Sequence, residues 1–468
     1  MTDPSSATSV TTDPGSGGEH PPSPDGSSGP VRRTLRDRAT GRHRHLLAGS
    51  SVLVVGAAVQ GVGGMLFSLI AAQLDTKAQF GDATALYTST MFVVYLAGLG
   101  LPVAVARYAA DRSDDSHTVF TWGALATAAA SIVTSALYLG IVHPPAANVL
   151  WDWQPVLGFG AFVLIVMGSA WSLIIDVRAM TMRRWGLVLF RILAVSILKV
   201  ALIYIGQASD HRSLLLFAYL GGPVALSGFV GMALINRTSG GRHRLSPRPA
   251  HTRDAVRYAG INYLSTLAYQ APYFALPVIV LVNVSSVTNS SFYVAWGIVS
   301  IAFYVPSAIG QALLAEGGKD GAQVAAQMKL ALVLAIGLMA VGALVTFAGK
   351  SVVVAAYGEG YRDAAEILPA MMLAGVPWAL TSLFLSEARI LHRHAITVII
   401  TVTLTVAIIG PALVLVPDHG IEGARSAWLG GNVLAAVVAT ALTLGARRTA
   451  RRANAPLLDP VALAADQH

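Results

Sequence analysis

Residues 329–349 read KLALVLAIGLMAVGALVTFAG, one lysine followed by twenty residues without a charge, and Lys350 closes the run. A helix rises 1.5 Å per residue, so about 20 apolar residues cover the roughly 30 Å hydrocarbon core of a bilayer. Outward from this stretch, similar runs occur at 46–70, 84–106, 118–142, 155–175, 187–206, 213–235, 255–282, 291–315, 366–388, 395–416 and 424–445. Twelve such runs in 468 residues, 54% of them hydrophobic and 12% charged, predict an all-α integral membrane protein with twelve transmembrane helices.

The charges give these helices a direction. Of 32 Lys and Arg, 25 fall in the two tails and in every second connection, whereas the alternate connections hold only Lys77, Arg212, Lys350, Arg362 and Arg425. Cationic flanks stay on the cytoplasmic side, so both termini are expected inside. The net charge of +8 would point to nucleic acid in a soluble chain, but these cations sit where membrane orientation already requires them, and no nucleic-acid partner is expected. With no cysteine, a disulfide framework or thiolate metal site is excluded. Residues 1–45 are rich in Ser, Thr, Gly, Pro and Asp and are expected to form a disordered cytoplasmic tail. Residues 446–468 are expected to form a second, basic one. The first apolar run is longer than a signal-peptide core and is expected to remain as the first helix.

Six runs (46–235), a basic cytoplasmic linker (236–254) and six more (255–445) imply a duplicated unit. Tyr87 with Pro102 recurs as Tyr293 with Pro306, and Asp176-Val177-Arg178 recurs as Glu387-Ala388-Arg389. An even number of runs per half points both repeats the same way, so two six-helix lobes related by a pseudo-two-fold along the membrane normal are expected, with a cleft between them. The acid-x-Arg pairs have two readings: anchors or intramolecular pairs at helix ends, or a gate in which Asp176, Arg178, Glu387 and Arg389 close the lobes on the cytoplasmic side.

The last two cations, Arg191 and Lys199, lie inside the run 187–206. Lys199 is about 18 Å from the inner end of its helix, at 1.5 Å per residue, and is expected either to face the bundle interior or water rather than lipid, or to reach with its chain to the outer interface. Arg191 lies two turns nearer the cytoplasm on roughly the same face. No Asp or Glu is placed at mid-membrane depth, so the cleft should be positive and suited to an anion. In the run 255–282, Asn262, Thr266, Tyr269 and Tyr273 form one polar and aromatic stripe, able to bond between helices or to meet a sugar. Pro272 and Pro277 in that run suggest a bend. Gly349-Lys350-Ser351 resembles the end of a phosphate loop, but Leu344 stands where its first glycine belongs. No catalytic residue, metal ligand or cofactor is expected. A membrane glycosyltransferase would need a catalytic acid or a large outer loop, and the outer connections are short.

Several segments resemble a known family. They are Phe80-Gly81-Asp82, then Gly98-Leu99-Gly100-Leu101-Pro102 and Arg107-Tyr108, Tyr357-Gly358-Glu359-Gly360-Tyr361 with Leu368-Pro369, and His419-Gly420-Ile421-Glu422-Gly423-Ala424. In order and spacing they resemble the polysaccharide flippase family of the multidrug, oligosaccharidyl-lipid and polysaccharide exporter superfamily, over essentially all of 46–445. The resemblance implies a V-shaped pair of lobes in the bacterial plasma membrane. It implies alternating access and transfer of an undecaprenyl-diphosphate-linked oligosaccharide, handed on to polymer-synthesis machinery. Lys199 and Arg191 would then neutralise the diphosphate, and the stripe from Asn262 to Tyr273 would meet sugar. A secondary antiporter for drugs or small metabolites is the alternative, although multidrug members often carry acids inside the lobes.

Overall fold

The computed structural model describes residues 55–98, 114–238, 252–316 and 321–453, apart from 57, 183 and 392. The expected tail 1–45, most of the linker 236–254, the end of the chain beyond 453 and the segment from Leu99 to Tyr108 lie outside the described residues. All described residues belong to one unit, Gly49–His468, and within them the regular structure is entirely helical.

The helices are α1 (Ala58–Leu74), α2 (Lys77–Ala97), α3 (Asp114–Leu137), α4 (Pro155–Thr181), α5 (Trp185–Leu202) and α6 (Arg212–Thr238). They continue as α7 (Thr252–Asn283), α8 (Ser286–Glu316), α9 (Gly321–Ala348), α10 (Arg362–Leu373), α11 (Gly375–Ile390) and α12 (His394–Ala453). Among the described residues, eight helical stretches are long and apolar enough to cross a membrane. One of these, His394–Thr449, is of double length and breaks at Gly420, where φ is 55° and ψ is −132°.

Helix ends follow local chemistry more than apolarity. The run expected from 84 begins at Lys77, because Thr76 and Gln79 form a reciprocal cap: the Gln79 amide donates to Thr76 Oγ1 at 3.3 Å and the Thr76 amide to Gln79 Oε1 at 3.2 Å. Pro155 starts α4 at its first turn, where a missing N–H costs nothing. That helix runs on to Thr181, which places Asp176 and Arg178 within it. α7 remains helical through Pro272 and Pro277. Ser and Thr inside the helices fold back onto the carbonyl one turn earlier, as in Ser89 to Ala85 and Thr90 to Leu86, so few hydroxyls face an apolar surrounding unpaired.

Packing separates an N-terminal from a C-terminal set. α4 lies on α6 and α3, and α2 lies on α6 and α4. α12 lies on α7 and α11, while α8 and α9 lie on α10 and α11. The α4–α6 crossing is close because a Cβ on Gly228 would fall 1.9 Å from the carbonyl oxygen of Gly168. Such small-residue contacts are how helices associate where lipid removes the hydrophobic drive. The two sets meet where α2 runs along α7 and α8. The outer surface is apolar: on α9, Leu330, Val333, Leu344 and Val345 are each more than 60% exposed. A continuous greasy face of this size belongs in hydrocarbon.

Candidate functional site

α5 is turned inside out relative to a soluble amphipathic helix. Phe190 and Ile197 point outward, 68% and 65% exposed, while the buried stripe is Val188, Ser196 and Lys199. Lys199 is therefore inside the bundle, 8% exposed. Its Nζ lies 3.5 Å from the Tyr87 hydroxyl, the long limit of a hydrogen bond, and 5.1 Å from the centre of that ring, within cation–π range. Among the described residues no carboxylate forms an ion pair with it.

Tyr87 belongs to an aromatic group contributed by both sets of helices. Tyr273 and Tyr304 lie within electrostatic reach of it, and Tyr304 is 60% exposed. Tyr273 packs on Trp296 with centroids 5.3 Å apart, and Trp296 meets Trp428 edge to face at 4.9 Å. Further along α2, Tyr95 stacks on Phe274 at 4.7 Å and donates its hydroxyl to the Leu267 carbonyl. Tyr269 stacks on Trp378 at 5.6 Å and shares hydrogen bonds with Ser307 and Ser382. Asn262 and Thr266 fall on α7 where side chains lie outside the described residues.

Arg191 is engaged elsewhere. Its Nε donates to Asp176 Oδ1 at 2.7 Å, its Nη2 to Asp176 Oδ2, and its Nη1 to Ser227 at 3.1 Å, a fork that ties α5 to α4 and α6. Glu387 likewise receives Arg447, Nε to Oε1 at 2.9 Å, from the last helix. Each acid thus bonds a cation of its own set, as an intramolecular tie between helices. Arg178 is buried, and Arg389 is exposed with its guanidinium carbon 5.4 Å from the centre of the Tyr269 ring.

At the end of the bundle that the charge pattern predicts to be outer, the two sets are fastened together. Lys77 donates to Ser291 Oγ at 3.1 Å and to the Gly360 carbonyl, and Gln73 donates to the Ala356 carbonyl at 3.2 Å. Asn289 donates to the Gly81 carbonyl at 3.1 Å, and Ser286 donates to Asp82. Gly81 is required there, since a Cβ would stand 1.8 Å from the Ser286 carbonyl oxygen. This seam escapes sequence reading because Lys77, Gln79 and Asp82 look like a polar loop. The signal available was Phe80-Gly81-Asp82, whose glycine marks a close approach. Tyr87 stood out only as a repeat echo, and Tyr304 and the tryptophans carried no local signal.

Among the described residues no group of His, Asp or Glu could hold a metal ion. Neither a family model nor a curated sequence matches the chain. Solved structures do resemble it. A multidrug-resistance MATE family transporter of the MOP superfamily, inward-facing, superposes with a TM-score of 0.58 at 14% identity, over 85% of this chain and 96% of that one. The lipid II flippase MurJ, inward closed, gives 0.64 at 12%, over 85% and 87%. A MOP superfamily transporter from Pyrococcus furiosus, described as having a binding pocket of reversed polarity, gives 0.53 at 16%, over 85% and 94%. The chain shares the fold of these membrane transporters.

Proposed function

We propose that the chain is a flippase that carries an undecaprenyl-diphosphate-linked oligosaccharide across the bacterial plasma membrane by alternating access. The twelve helical segments, counting α10 with α11 as one and the two parts of α12 separately, form two six-helix lobes related by a pseudo-two-fold along the membrane normal. Both termini are cytoplasmic. The observation that carries this reading is Lys199, buried on Tyr87 with, among the described residues, no carboxylate paired to it. A lysine at membrane depth costs about 2.5–3.5 kcal/mol on insertion scales, a cost that an anionic ligand offsets. Its ammonium and the hydroxyls of Tyr87, Tyr273 and Tyr304 form the headgroup chamber, in which cation meets diphosphate and aromatic faces meet sugar. The prenyl chain stays in lipid, beside the apolar outer face of α5. Arg191, already paired with Asp176, serves as a strut.

The similarity to MATE and MurJ structures supports transport in general, and the buried ammonium of Lys199 favours the lipid-linked anion within it. Exchange of cationic drugs is the second reading, favoured by the aromatic group Tyr273, Trp296 and Trp428 but opposed by the positive charge beside it. Translocation of a lipid diphosphate sugar into inverted membrane vesicles is the test. Native protein should move it and Lys199→Glu should not; equal transport by both removes Lys199 from the path and the reading with it.

A further inference from the structure

Arg389 is one of the four residues whose spacing suggests a gate, and the structure places its guanidinium on an aromatic ring. Glu387, its neighbour two residues back, is taken by Arg447. Arg389 forms no ion pair among the described residues, yet it is folded back over the Tyr269 ring at 5.4 Å. A cation placed merely to set orientation would extend toward headgroups and water. This one instead rests on an aromatic floor held by Trp378, Ser307 and Ser382. The arrangement repeats what Lys199 does on Tyr87, in the other lobe and at another depth.

The difference in depth follows from how α2 runs beside α7 and α8. Gly81 touches Ser286, and Tyr95 touches Leu267 and Phe274, so Tyr269 is level with the neighbourhood of Tyr95. Tyr95 is eight residues beyond Tyr87, about 12 Å along a helix. No single phosphate reaches both cations.

We propose that Arg389 and Tyr269 form a second anion site, at the cytoplasmic mouth of the cleft, which receives the diphosphate before it moves on to Lys199. The inference rests on the flippase reading for its ligand and adds a loading station to it. Guanidinium suits this task because its planar fork takes two phosphate oxygens at once, while its exposure keeps binding weak enough for onward transfer.

Trp378, stacked on Tyr269, gives a local readout. The full chain in nanodiscs is titrated with inorganic pyrophosphate while tryptophan fluorescence is followed. The native protein should show a saturable change. Trp378→Phe and Arg389→Ala should each remove it, Arg389→Lys should keep it with affinity weakened about tenfold, and Lys199→Ala should leave it in place. In vesicles, Arg389→Ala should raise the half-saturating substrate concentration about tenfold with the maximal rate kept, whereas Lys199→Ala lowers the rate itself. The proposal is overturned by a native protein with no response, by a response that survives Arg389→Ala, or by one lost with Lys199→Ala. Normal transport by Lys199→Glu with the Trp378 response intact would instead sink the flippase reading and leave a mouth site for phosphates.

Discussion

Lys199 and Arg212 show how differently two buried cations are treated. Arg212 is 1% exposed and held by four hydrogen bonds: its Nε and Nη2 meet Asp75 at 2.6 and 3.2 Å, and Nη1 and Nη2 reach the Ile205 and Ile203 carbonyls at 2.8 and 2.7 Å. Arg212→Ala would strand the Asp75 charge and should destabilise the protein by about 3–5 kcal/mol, read from thermal unfolding in detergent. Lys199 has no such partner, so Lys199→Met should raise stability by about 1–3 kcal/mol while export is lost. A fall in stability on that change would mean that the ammonium is compensated within the fold. Arg191→Lys should impair export less than Lys199→Ala, since a lysine retains one contact to Asp176. The burial of Lys199 was readable from its position in an apolar run. The tie from Arg191 to Asp176 was not, because fifteen residues of chain and a turn between helices separate them.

Among the elements, α2 bears the junction of the N-terminal and C-terminal sets of helices. Gly81→Ala would drive a methyl group into the Ser286 carbonyl and force α2 from α8 at the seam. The chain has no cysteine, so a single Ser291→Cys can report on this opening. Ser291 is fully buried beside Lys77, and an added Gly81→Ala should speed its labelling by an impermeant thiol reagent several-fold. Unchanged labelling would place the moving joint elsewhere. Hydropathy runs located most helices because a spanning segment must be apolar over its length, whatever it packs against. They misjudged α2, whose first turns hold Lys77, Gln79 and Asp82, polar groups satisfied by a cap or by α8 and the Gly360 turn rather than by water. Register between helices, which decides that Tyr269 meets Arg389 while Tyr87 meets Lys199, has no imprint in a linear pattern.

For the whole molecule, the N-terminal and C-terminal sets of helices each pack mainly within themselves and join along α2, α7 and α8. Fragments 1–245 and 246–468, co-expressed, should therefore assemble and retain export, measured by restored polymer at the cell surface in a deletion strain. Failure to co-purify would show that the covalent connection, and not this contact, unites them. The outer seam has one more property. Three of its side-chain donors, Gln73, Lys77 and Asn289, reach peptide oxygens across it, those of Ala356, Gly360 and Gly81. Catch plates cast in the main chain wear from one side only: lineages can drift at position 356 without loosening the latch, whereas a side chain at position 360 would stand 3.2 Å from the Lys77 stem, and each lost donor weakens the hold by one increment.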